Sequence, residues 1–202
     1  PPLTFIFPQD QASREALQKV AERHVAIRYH PYLVKFYDHV FIPVFGGKYM
    51  SQETGKRIID LAIERRLWVL PECHAVEIEG IKTFQPVTLE FLSAQLEYIK
   101  HNESKVWIDT FINVFRYVTQ RRSTQVNILA EQEKSVQFSL THDLQKAIFN
   151  TPLTVMINPN SDVQEPEAVE MASGKAIPVK IRGRFIMLDV TPNSGSIEVK
   201  WK

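Results

Sequence analysis

Hydrophobic positions along the chain keep one rhythm as far as Ser123 and another beyond it. In the first stretch, short apolar runs alternate with segments whose apolar residues recur at helical spacing. Leu3–Phe7 is an apolar run closed by Pro8, which predicts a buried strand. Ser13 is placed to cap a helix over about Arg14–Arg23, with Ala16, Leu17, Val20 and Ala21 on one face and Arg14, Glu15, Lys19 and Glu22 on the other. Val25–Arg28 follows as a second strand, and this strand, helix, strand order predicts a parallel pair with a right-handed crossover. His30–Tyr37 is aromatic-rich with no clean period, and Val40–Ile42 reads as a third strand stopped by Pro43. Gly46-Gly47 lacks the spacing of a phosphate-binding loop and reads as a turn. Ser51 opens a helix with Ile58, Leu61 and Ala62 inward, and Thr88 opens another with Leu89, Leu92, Leu96 and Ile99 inward. Leu67–Leu70, between them, is a strand, and Val106–Ile108 is expected to be the next. Thr110 starts the last helix, which ends on Arg121-Arg122, a basic pair that complements the helix dipole.

From Gln125 the helical period is gone. Short β-rich pieces follow one another: Gln125–Leu129, Ser135–Leu140, Leu153–Ile157, Val179–Ile181, Arg184–Val190 and Ser196–Trp201. Turn residues separate them at Asn158-Pro159-Asn160, Gly174, Gly183 and Pro192-Asn193-Ser194-Gly195. The pattern predicts an α/β unit over residues 1–123 followed by a small antiparallel β-sandwich over 124–202.

Composition narrows this little. With 24 basic and 23 acidic residues, the net charge of +1 gives no electrostatic reason to bind nucleic acid. One cysteine excludes an internal disulfide, and no apolar run approaches the roughly 20 residues of a membrane-spanning helix. Secreted, periplasmic and cytoplasmic locations all remain open.

The candidate chemistry lies after the apolar run Leu67–Leu70, where the chain delivers Glu72, Cys73 and His74. A histidine at the C-terminal end of a parallel strand stands where barrel enzymes collect their working groups. His74 is therefore the first candidate.

Trp68-Val69-Leu70-Pro71-Glu72-Cys73-His74-Ala75-Val76 resembles the last catalytic motif of the NodB-like polysaccharide deacetylase family, in which a strand starting near a Trp ends in a leucine, a variable residue and a histidine. Phe84-Gln85-Pro86-Val87, Leu96-Glu97-Tyr98-Ile99, Lys105-Val106-Trp107-Ile108-Asp109-Thr110-Phe111 and Tyr117 with Gln120-Arg121-Arg122 follow at the family's usual distances. Asn150–Val155 and Asp189–Ile197 resemble the β-domain that one branch appends to its barrel. The resemblance implies the C-terminal part of a distorted (β/α) barrel, and a parent protein that removes acetyl groups from carbohydrates.

That family uses a divalent metal, usually zinc, held by one Asp and two His, a second Asp as general base and the late histidine as general acid. The metal polarises the acetyl carbonyl and activates water, and an imidazolium protonates the leaving group. The resemblance gives His74 the acid's role. The metal-and-base motif, threonine, phenylalanine, two aspartates and a glycine, has no match in this sequence, and neither has the histidine pair, so both are expected before Pro1. His24 and His30 are too widely separated to replace that pair. This chain alone is accordingly expected to be inactive. Trp68 and Arg28 are the substrate-binding candidates, Arg28 also standing in for an arginine the family places near the base. Glu72 occupies the position of a leucine in the acetyl pocket, where it either crowds the pocket or holds His74 charged. The expected partner is an acetylated carbohydrate or polysaccharide. The alternative is a non-catalytic carbohydrate-binding or interaction module on the same scaffold. Barrel closure takes roughly eight strands, more than this pattern supplies, so the first strand is expected to present an open edge to a missing segment or a second chain.

Overall fold

The structure is a computed structural model that describes residues 3–8, 11–28, 33–34, 39–42, 45–46, 50–160 and 162–202. Most of the aromatic-rich connection over 30–37, Pro43 and Gly47 lie outside the described residues. The chain divides into two compact units, Pro1–Ile112 and Asn113–Lys202.

In the first unit, β1 (Thr4–Ile6), α1 (Arg14–Ala21) and β2 (Ala26–Arg28) form the expected parallel crossover, with Thr4 opposite Ala26 and Ile6 opposite Arg28. A short β3 (Leu33–Val34) adds antiparallel to β2. β4 (His39–Ile42), α2 (Gln52–Arg65) and β5 (Trp68–Pro71) repeat the unit, β4 and β5 pairing in parallel. β6 (Ala75–Val76) and β7 (Pro86–Val87) form a further parallel pair, and α3 (Leu89–His101) follows. These strands make separate small sheets, and no closed barrel is formed among the described residues. The capping residues do what their chemistry predicts: Ser13 Oγ accepts from Ala16 N, Ser51 Oγ from Thr54 N and Thr88 Oγ1 from Phe91 N, each at 3.1 Å. Arg66 closes α2 in the left-handed region (φ 54°) and turns the chain into β5.

Two expectations are corrected, the second of them in part. Val106–Ile108 is not a strand: the chain leaves α3 through a turn in which Lys105 N and Val106 N donate to Asn102 O, and Trp107 and Ile108 stay exposed. The inward faces of α2 and α3 keep the expected Ile58 and Leu92, which pack against a buried cluster, but they are centred on other residues. Gly55 and Ile59 are buried on α2 and Phe91 and Gln95 on α3, while Leu61, Leu89 and Leu96 are exposed. The cause is a close approach of the two helices, where a Cβ at Gly55 would stand 2.6 Å from Gln95 Oε1 and Gln95 Nε2 donates to Gln52 O. With Gly47 outside the described residues, Gly46 lies at a bend. It is buried with φ +97°, and a Cβ there would lie 2.7 Å from Val87 Cγ1 and 2.9 Å from the Phe91 ring.

The second unit takes in most of α4 (Phe111–Ser123), a helix that the composition shift groups with the first. Its buried Gln120 exchanges hydrogen bonds with the Thr151 backbone, Nε2 to O at 2.7 Å and N to Oε1 at 3.0 Å. Arg116 donates to Ile148 O and Asn150 Oδ1. Eight strands follow: β8 (Gln125–Gln132), β9 (Ser135–Thr141), β10 (Leu153–Ile157), β11 (Glu167–Glu170), β12 (Lys175–Ile177), β13 (Val179–Arg182), β14 (Phe185–Val190) and β15 (Ser196–Lys200). They form a five-stranded sheet, β12-β11-β15-β9-β8, and a three-stranded sheet, β10-β14-β13, all antiparallel. Alternate residues of both sheets meet in one core, Phe138 and Leu140 of β9, Ile197 and Val199 of β15, and Ile186 and Leu188 of β14 among them.

Candidate functional site

β2 ends at Arg28 and β5 at Pro71, so the chain places Arg28 and Glu72 at the C-terminal ends of two parallel-paired strands. The two side chains meet in a fork: Arg28 Nη1 donates to Glu72 Oε2 at 3.0 Å and Nη2 to Oε1 at 3.3 Å. Both are mostly buried, 16% and 27% exposed, where a two-point guanidinium–carboxylate pair holds its geometry. The residues after β5 are pinned as well. Phe45 N donates to Glu72 O at 2.8 Å, and Cys73 Sγ donates to Phe45 O at 3.3 Å.

Partial burial raises the Cys73 thiol above its ordinary range, and the Glu72 carboxylate adds to the rise. At neutral pH it is a hydrogen-bonding thiol and a poor nucleophile. His74 is exposed, and its ring sits 4.9 Å from the Phe84 ring at an interplanar angle of 71°. The pairing of β6 with β7 fixes this contact. Ala75 lies opposite Pro86 in a parallel register, so His74 and the Phe84-Gln85 step enter the two strands at the same end. Gln85 has φ 43°, a conformation side chains resist, and it turns Phe84 outward before Pro86.

The structure therefore brings Arg28, Glu72, Cys73 and His74 to one end of the strands and divides them into two clusters. Glu72 faces Arg28, and its two oxygens accept from that guanidinium. Arg28 is not a solvated strand-end residue but half of a mostly buried pair. Trp68 stands at the other end of β5, stacked on Phe111 at 5.7 Å, away from His74. His24 packs on Phe5, and its Nδ1 lies 3.1 Å from Val20 O; His30 lies outside the described residues. Phe84 carries no role in the sequence reading; the signal for it is an aromatic residue just before the proline that starts a strand.

Among the described residues no group of three or more His, Cys, Asp or Glu side chains is placed to hold a metal ion. No described helix is long and apolar enough to cross a membrane.

No protein-family model matches the chain. It is similar to a gellan lyase of a Bacillus species, 21% identical over 99 residues, which is 47% of this chain and 4% of that protein. Among solved structures it is similar to the α-fucosidase of Thermotoga maritima, at 11% identity over 91% of this chain and 47% of that one, with a TM-score of 0.25. An α-L-fucosynthase of the same organism gives 11% identity, 92% and 46% coverage and a TM-score of 0.26. TM-scores of this size carry no argument about fold or activity. The chain spans a small fraction of the curated relative and about half of the solved chains.

Proposed function

We propose that this chain is the C-terminal portion of a carbohydrate deacetylase, with its first unit belonging to a distorted (β/α) barrel and His74 serving as general acid. The observation that carries the reading is the exposed His74, three residues past the end of β5 and two past a carboxylate that Arg28 has already matched. That match bears on the position a leucine fills in the family. A free carboxylate would oppose an acetyl methyl, whereas the paired one is turned toward Arg28 and its charge is compensated. Arg28 is then a positioning residue, held by Glu72 at the strand ends where the base would work. Metal and base would come from residues outside this sequence; when bound, the metal would polarise the carbonyl and activate water. The share of these residues is to close the strand ends and to deliver a proton to the leaving oxygen or nitrogen from His74. The relative named as a gellan lyase supports carbohydrate as the ligand class.

The test is acetate release from acetylated oligosaccharides. Residues 1–202 alone should bind no stoichiometric zinc and release no acetate, because a catalytic zinc needs about three protein ligands. In a polypeptide that joins them to a metal-and-base segment, His74→Ala should lower turnover roughly a hundredfold or more with little change in substrate binding. Wild-type turnover in that variant would refute the assignment.

The second reading, a non-catalytic carbohydrate-binding or interaction module, is favoured by the exposed ring of Phe84, which serves binding without any chemistry. It would be preferred if no encoded segment supplies the metal-and-base motif.

A further inference from the structure

Phe84 is 70% exposed, and it stands just before β7 with the His74 ring packed edge-on against it. An aromatic surface held open to solvent beside an exposed imidazole selects its ligand by chemistry. A purely apolar ligand would cover the imidazole and leave its nitrogens desolvated and unpaired. A purely polar one would gain nothing from the ring. A ring with an apolar C–H face and hydroxyls at its edge meets both demands, stacking on the phenyl group while an edge hydroxyl reaches the imidazole.

We propose that Phe84 is a sugar-stacking platform, on which one pyranose unit of an oligosaccharide lies with its edge toward His74. The inference rests on the carbohydrate reading above for its ligand class, but not on acetyl chemistry.

Calorimetric titration of residues 1–202 with chitohexaose and xylohexaose, each with and without acetyl groups, tests it. Phe84→Ala should weaken binding by about tenfold, the scale of one aromatic contact. Phe84→Trp should keep the affinity and report binding by a change in the new indole's fluorescence. Both variants should unfold at the wild-type temperature, since the side chain is exposed. Equal affinity for wild type and Phe84→Ala, or no binding of any of the sugars to the wild type, overturns the platform. The two proposals fail separately. Loss of binding in Phe84→Ala with no acetate released by any longer polypeptide keeps the platform and sinks the deacetylase. His74-dependent acetate release with KM unchanged in Phe84→Ala does the reverse.

Discussion

Arg28 and Glu72 lie 44 positions apart in sequence and form a two-point pair that is mostly withdrawn from water. Removing one partner leaves the other charge poorly solvated, whereas replacing both by apolar groups removes the penalty along with the bond. Arg28→Met should therefore destabilise the first unit by about 1–3 kcal/mol, discounted for the remaining exposure. Adding Glu72→Leu should recover most of that loss in thermal unfolding. A double variant less stable than the single one would mean that the pair is not what holds these strand ends. Glu72 also acts on its neighbour. Because the folded thiol of Cys73 titrates above the unfolded one, its contribution to stability is full below the unfolded pKa and is lost as pH rises through the folded value. Iodoacetamide should alkylate Cys73 more slowly than a free cysteine at about pH 8. Glu72→Gln should speed the reaction only modestly, since burial is the larger cause and remains. Unchanged or slower alkylation in Glu72→Gln would contradict the charge contribution.

Among the elements, those with strong local signals were legible and those fixed by tertiary packing were not. Ser13, Ser51 and Thr88 mark helix starts because a side-chain oxygen satisfies a backbone donor three residues on, an interaction that is entirely local. The helix faces were legible only in part: Ile58 and Leu92 turn inward as expected, but Gly55 and Gln95 take the closest contact in place of leucines. Glu167–Glu170 and Lys175–Ile177 were missed because short polar strands take their place from their neighbours, Glu167–Glu170 being paired on both sides. Val106–Ile108 shows the converse, an apolar run that is not a strand and that leaves α3 through a turn. The place of His74 just past an apolar strand was legible. Its contact with Phe84 was not, because a two-residue parallel pair sets it. Gln120 is the strongest test at this scale. Its amide satisfies both backbone groups of Thr151 inside the second unit, so Gln120→Leu should lower that unit's stability by about 2–4 kcal/mol. An unfolding midpoint equal to wild type would contradict that role.

At the scale of the whole molecule, the change of hydrophobic rhythm foretold an α/β part followed by an antiparallel β part, and both are present. A closed barrel among the described residues is not. β1 has a strand neighbour on one side only among those residues, and Ile6 on it is exposed. Unpaired edge strands recruit partners. Residues 1–202 should accordingly associate in a concentration-dependent way by light scattering, and Ile6→Lys should return them to monomers without unfolding. A monomer at all concentrations would show that the edge is protected.

The central claim is that the strand-end cluster around His74 meets carbohydrate. Its most direct measurement is a nuclear magnetic resonance titration of residues 1–202 with acetylated oligosaccharide, following the His74 imidazole, the Phe84 ring and the backbone amides of both units. The account predicts saturable shifts centred on His74 and Phe84 and extending to Glu72, with the sandwich core around Phe138 and Ile197 unmoved. Shifts confined to the β-sandwich, or no shift at His74 at any sugar concentration, would contradict it.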